Sequence, residues 1–251
     1  MVQKIDNKIK KILTEIDYKA RQPLTTLSKK TGMSQQLINY YIKNLEKQNI
    51  IRGYRVILEI GKLGYFGYRV FFQLQQVTPE LEDKLNTYFN DHYNVLWFVS
   101  TQGWFDLEVL IMARNDIHFD NILKEMIATW PTHLTQYTIS ISVINYHLNR
   151  AYLLDKKRDF VLPHFIGSEP EKEQLDDVDY KILTLLSEDA RMPYFRMEKK
   201  VGLGYNAIKD RVQKLEKRGI LQGYRTWIDT FKLGYKYYKV MLTFQFLGQD
   251  L

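Results

Sequence analysis

The sequence predicts an α+β chain in which one small three-helix module stands on each side of a βαββαβ unit. Three observations predict it. Residues 5–76 recur without a gap as residues 175–246, with 26 identities in 72 aligned positions. The segment between the copies alternates strand-like and helix-like patterns. The charge is unevenly divided: residues 1–65 carry +8, residues 66–150 carry −4 and residues 175–251 carry +4, in a chain of net +7.

The repeat fixes the organisation of the chain. An offset of 170 lays Ala20-Arg21-x-Pro23 on Ala190-Arg191-x-Pro193 and Leu45-Glu46-Lys47 on Leu215-Glu216-Lys217. It also lays Gly53-Tyr54-Arg55 on Gly223-Tyr224-Arg225, and Lys62-Leu63-Gly64-Tyr65 on Lys232-Leu233-Gly234-Tyr235. The unit is too long and too widely spaced for a solenoid, so the pattern reads as domain duplication. The expected division is 1–65, first module; 66–150, central unit; 151–174, charged irregular linker; 175–235, second module; 236–251, the first strand of a second central-type unit that is cut short.

In the first module, Lys8 to Asp17 places Ile9, Ile12, Leu13 and Ile16 at helical spacing, with Asp6 as N-cap. Pro23 opens a second helix, Leu24 to Thr31, and Gly32 ends it. Ser34 caps a third helix to about Gln48, turning Ile38, Ile42 and Leu45 inward. Ile50 to Leu58 is strand-like. The second module repeats the pattern with Ile182, Leu183 and Leu186; Pro193; Gly202; and Ile208, Val212 and Leu215. Three short helices, a tight glycine turn before the third, and an expected strand pair describe a winged helix-turn-helix.

The third helix of such a module enters the DNA major groove. Its outward face in copy one carries Ser34, Gln35, Gln36, Asn39, Tyr40 and Lys43. In copy two it carries Tyr205, Asn206, Lys209, Asp210, Gln213 and Lys214, with Arg211 at the edge. Amides bond adenine edges bidentately, and lysine reaches guanine or phosphate. Arg52, Arg55 and Arg225, near the strand turns, are expected to hold phosphates. Each such residue alone is ordinary on a solvent face; an amide-rich face in a basic module favours double-stranded DNA as partner.

Here the chain resembles a family. Asp176-x-x-Asp179-x-x-Ile182-Leu183, Ala190-Arg191, Leu203, Leu215-Glu216-x-x-Gly219-Ile220, Gly223-Tyr224 and Leu233-Gly234-Tyr235 are similar to the Lrp/AsnC (feast/famine) transcriptional regulators. Copy one departs in three places: Ile9 replaces the second Asp, Asn49 the Gly after helix three, and Tyr41 stands where copy two has Arg211. The resemblance implies sequence-specific DNA binding, a regulatory RAM domain after the winged helix, homo-oligomerisation, and a small effector such as an amino acid.

In the central unit, Tyr68 to Leu74 reads as a strand and Pro79 to Asp91 as a helix. Asn94 to Thr101 and Trp104 to Ala113 are strands, Asp116 to Trp130 a second helix, and Leu134 to Leu148 a half-buried strand. The order βαββαβ is a ferredoxin-like sandwich, as RAM domains are. Gly103-Trp104-Phe105-Asp106 matches the family's Gly-x-x-Asp turn, which implies effector contacts at Gly103 and Asp106; a hairpin glycine and a turn-capping aspartate are the other reading. Tyr237 to Leu247 alternates apolar residues as a further strand.

Several classes are disfavoured. The chain is 45% hydrophobic and 14% aromatic, wrong for disorder. No run approaches the roughly 20 apolar residues of a membrane helix, and the N-terminus lacks an apolar signal stretch. Without cysteine there are no disulfides or thiolate sites. An intracellular, cytoplasmic protein is expected, with no membrane partner. His92, His118, His133, His147 and His164 show no metal-ligand spacing, and no phosphate loop or nucleophile elbow is present. No metal, cofactor or enzymatic activity is therefore expected. The enzymatic alternative is a sirohaem decarboxylase, a class similar to Lrp/AsnC proteins in fold. Its Cys-Tyr-Arg-Arg-like stretch is missing here, and a −4 sandwich suits an anionic tetrapyrrole poorly.

Overall fold

The computed structural model describes residues 5–145, 148–154 and 173–242. The first module forms α1 (Asn7–Ile16), α2 (Leu24–Thr31) and α3 (Gln35–Lys47), followed by β1 (Ile51–Leu58). Asp6 caps α1 through Ile9 N, and Ser34 caps α3 through Leu37 N. Gly32 closes α2 at φ 71°, a left-handed conformation that a side chain strains. Ile12, Leu13, Ile16, Leu27, Ile38, Ile42 and Leu45 are buried together. Each such side chain stabilises the fold by roughly 1.5–3 kcal/mol before entropy is counted.

The second module repeats this with α6 (Asp177–Glu188), α7 (Tyr194–Val201), α8 (Tyr205–Lys217) and β6 (Leu221–Ile228). Gly202 takes the place of Gly32 at φ 80°. Ile182, Leu183, Leu186, Met197, Val201, Ile208, Val212 and Leu215 form its core.

The expected strand pair inside each module is corrected. Each module supplies one strand, and β1 pairs antiparallel with β6. The chain after β1 passes through a short 3-10 turn, Gly61–Leu63, into the central sheet, so β1 has no local partner. The register sets Arg55 opposite Arg225. These residues are equivalent in the repeat, so a pseudo-two-fold axis passes between them. The contacts obey it. Ala20 N donates to Tyr224 O (3.0 Å) and Ala190 N to Tyr54 O (3.1 Å). Glu59 N donates to Ile220 O (2.9 Å) and Asp229 N to Ile50 O (2.8 Å). Lys62 Nζ donates to Arg218 O, and Lys232 Nζ to Gln48 O.

The central unit runs β2 (Phe66–Leu74), α4 (Pro79–Asp91), β3 (Val95–Ser100), β4 (Leu107–Ala113), α5 (Asp116–Thr129) and β5 (Leu134–Ser142). Its sheet has the order β3-β4-β2-β5, antiparallel throughout. Val70, Phe72, Val109 and Ile111 pack on Leu85, Phe89, Ile122 and Met126 from the two helices. On the opposite face Glu108 is buried, with Arg69 Nη1 at 2.8 Å and Lys239 Nζ as its second cation.

Two expectations about connecting segments change. Ala151–Leu154, placed in the linker, forms a 3-10 turn, and Leu153 joins the first module's core. Residues 236–242 form no strand, although Tyr237 to Leu247 alternates; residues 243–247 lie outside the described residues, as do 155–172 of the linker. The apolar side chains of Tyr238, Val240 and Leu242 are exposed, and Lys239 rests over the rings of Phe71 and Trp97.

Candidate nucleic-acid interface

Helical periodicity divides α3 into two faces. Ile38, Ile42 and Leu45 point into the core. Gln35, Gln36, Asn39, Tyr40 and Lys43 are left exposed on the other side. In α8 the inward residues are Ile208, Val212 and Leu215, and the exposed ones include Tyr205, Asn206, Lys209, Asp210, Gln213 and Lys214. The structure thus gathers these sequence-identified residues into one outward face per module, related by the pseudo-two-fold. The helix N-termini differ. Ser34 is a cap, whereas Gly204 offers no side chain, and Glu198 instead accepts from Tyr205 N at 2.7 Å.

Four arginines are redirected. Arg52, expected on phosphate, pairs with Asp229 across the ribbon. Arg55 donates to Glu188 O at 3.0 Å and lies over the Trp227 ring. Arg225 stacks on the Tyr18 ring at 4.9 Å, with Nε 3.7 Å from Asp17 Oδ1. Arg211 turns back to Asp176 and Asp179 at 2.7 and 2.8 Å. Arg211 is held by acids of its own module, at the start of α6. For Arg52, Arg55 and Arg225 the reason is the strand exchange. It brings carboxylates, carbonyls and rings of the other copy within reach of guanidiniums that each module alone would expose.

The residues that join the modules are those the repeat keeps in both copies. Arg21 donates to Ala190 O (2.6 Å) and Met192 O (3.0 Å) and lies over the Tyr224 ring. Its equivalent, Arg191, lies over the Tyr54 ring and donates to the Tyr54 hydroxyl at 3.0 Å. Tyr54 in turn donates to Glu46 (2.6 Å), and Tyr224 to Glu216 (2.5 Å). Burial first, and then these carboxylate acceptors, push both phenols well above the ordinary tyrosine pKa. Sequence reasoning read Arg21, Arg191, Tyr54 and Tyr224 as markers of the repeat, and Arg191 and Tyr224 also as part of the family resemblance, but assigned none of them a contact. Their identity in both copies was the available signal for a two-fold contact.

Asp17 forms a third junction. Its buried carboxylate holds the Arg150 guanidinium and accepts from Arg150 N at 2.9 Å. Burial raises its pKa, against the pull of Arg150 and Arg225. Asp17 O also accepts from Thr226 N at 2.9 Å. The chain leaving the sandwich is therefore fastened to both modules.

At the expected effector turn, Asp106 Oδ2 accepts from Leu74 N at 2.8 Å. Gly103 has φ 142° with open space at its Cβ, and the neighbouring Trp104 is exposed. Asp106 thus ties this turn to the end of β2.

Fold and site together define a double helix-turn-helix chain with a ferredoxin-like sandwich between the copies. Residues 5–52 match a family described as winged helix-turn-helix DNA-binding, and residues 175–216 match the AsnC-type helix-turn-helix domain. The regulator LrpA of Pyrococcus horikoshii is 44% identical over 61 residues, 24% of this chain and 43% of that protein. The regulatory protein AsnC of Haemophilus influenzae is 44% identical over 61 residues, 24% of this chain and 41% of its own length. The matched stretch is thus about two fifths of the length of these relatives. Among solved structures, PH0061 superposes with a TM-score of 0.52 at 19% identity, covering 59% of this chain and 99% of its own. The sirohaem decarboxylase NirDL superposes with a TM-score of 0.53 at 15% identity, covering 88% of this chain and 65% of its own. At those identities the likeness is one of fold. The helix-turn-helix stretches of this chain are thus similar to those of the Lrp/AsnC regulators.

Among the described residues no helix is long and apolar enough to cross a membrane, and no group of three or more His, Asp or Glu is arranged to hold a metal ion.

Proposed function

We propose that this chain is a sequence-specific regulator of transcription that binds double-stranded DNA with α3 and α8 together. The observation that carries the reading is the pairing of two outward, polar, exposed third helices around one pseudo-two-fold axis. A dimer of identical chains presents the same helix twice. This chain presents two different ones, so its preferred site is asymmetric. Ser34, Gln35, Gln36, Asn39, Tyr40 and Lys43 meet one half-site, and Tyr205, Asn206, Lys209, Gln213 and Lys214 the other. The chain acts in the cytoplasm, assembles as a homo-oligomer, and answers to an amino-acid-like effector near Gly103 and Asp106.

The test is duplex binding against salt. Each neutralised phosphate releases counterions, so affinity falls steeply between roughly 50 and 200 mM salt. A flat dependence refutes the reading. The fold shared with NirDL makes a tetrapyrrole titration the matching control: on this reading haem and sirohaem produce no Soret shift.

A further inference from the structure

We infer that the two half-sites differ in base composition and that Asp210 is the residue that sets the second, by accepting a hydrogen bond from cytosine N4. The inference rests on the DNA-binding reading above and adds the base that one side chain selects.

The repeat register places Asp210 where copy one has Tyr40, and Lys209 where it has Asn39. The face of α3 is amide-rich and carries no carboxylate: Gln35, Gln36, Asn39, Tyr40 and Lys43. Asn and Gln match the N6 and N7 edge of adenine, so this face favours an A·T pair. On α8 an exposed carboxylate stands in the middle of the equivalent face.

A carboxylate on a surface that meets phosphates is repelled by them. Six other acids of the second module are engaged within the protein, whereas Asp177 and Glu188, which lie on α6 away from the α8 face, hold no partner through their carboxylates among the described residues. Asp176 and Asp179 hold Arg211, Asp189 caps Arg191 N, Glu198 holds Tyr205 N, Glu216 the Tyr224 hydroxyl, and Asp229 Arg52. Asp210 has no hydrogen bond or ion pair among the described residues. Lys214 lies four residues on, the spacing of a routine helix pair, yet no such pair forms, while Lys124 and Asp120 on α5 do form one. The acceptor is left open toward the groove. Among base edges in the major groove, cytosine N4 is a donor that a carboxylate suits. The adjacent Lys209 supplies the cation for guanine O6 and N7 or for a phosphate.

The experiment selects duplexes from a randomised pool with the full chain, as wild type and as Asp210→Ala, Asp210→Asn and Asn39→Ala. The wild type should return a motif with a fixed cytosine on one side. Asp210→Ala should lower discrimination for that base by roughly fivefold or more, with the other half-site unchanged. Asp210→Asn should move the preference toward adenine, which loss of folding cannot produce. Asn39→Ala should relax only the opposite half-site. A motif intact in Asp210→Ala overturns the inference and leaves the regulator reading standing. A wild-type chain that selects no sequence overturns both.

Discussion

The carboxylate of Asp17 lies between the guanidiniums of Arg150 and Arg225 with almost none of its surface in water. Removing one member of a buried ionic group strands the others, which costs roughly 3–5 kcal/mol when all are buried. Arg150 and Arg225 keep some exposure, so Asp17→Ala should cost about 2–3 kcal/mol in urea unfolding, at or under the lower end of that range. Asp17→Asn should cost less, because burial penalises the charge itself. The phenols of Tyr54 and Tyr224 give a pH signature. Their folded pKa values lie above the ordinary 10.0, so the folded state holds those protons more tightly than the unfolded one. That contribution is complete below pH 10 and fades as pH rises beyond it. Stability should therefore decline on the alkaline side, and the double variant Tyr54→Phe, Tyr224→Phe should show a shallower decline. The outward Asn39 and Lys43 were legible because 3.6-residue spacing separates them from Ile38 and Ile42. The partners of Arg52, Arg55, Arg211 and Arg225 were not, since a guanidinium's acceptor is set by tertiary contact.

Helix ends were legible in detail, because their signals are local. Asp6 and Ser34, read as caps, accept from backbone N–H groups three residues on, and Asp176, the repeat equivalent of Asp6, does the same. Gly32 and Gly202 take the left-handed conformation at the ends of α2 and α7. Strand partners were not legible. A period of two says which face of β1 is buried and nothing about which strand it joins. Element termini also yield a paired prediction of opposite sign. Gly32→Ala forces a Cβ into left-handed backbone at φ 71° and should cost roughly 1–2 kcal/mol. Gly204→Ser keeps an extended N-cap and adds the acceptor that α8 lacks and α3 has. It should gain a few tenths of a kcal/mol. Thermal melts of the two variants should move in opposite directions from the parent. A Gly32→Ala chain that melts with the parent would mean the turn relaxes.

At the scale of the whole molecule, the pseudo-two-fold makes β1 and β6 complete each other, while the central sheet keeps an open edge. Its two edges are β3, beside β4, and β5, beside β2, and the uncovered one is β5. The helices α4 and α5 lie over β3 and β4, so Tyr137, Ile139, Ile141 and Val143 remain exposed, Ile141 by 61%. Those four residues share a face by alternation, with Thr138, Ser140 and Ser142 on the other. Residues 134–143 contain no charge and no proline, the devices with which edge strands normally avoid pairing. An uncharged apolar edge of this kind marks an association surface. The repeat did not reveal it, because β5 lies outside the repeated segment. The chain should accordingly associate in a concentration-dependent way, seen by light scattering. Ile141→Lys puts a charge on the exposed face without touching the core, so it should lower the association state while the melting temperature stays within a few degrees of the parent. An unchanged association state in Ile141→Lys would assign assembly to another surface, such as that formed by Tyr237, Tyr238 and Val240 beside Lys239.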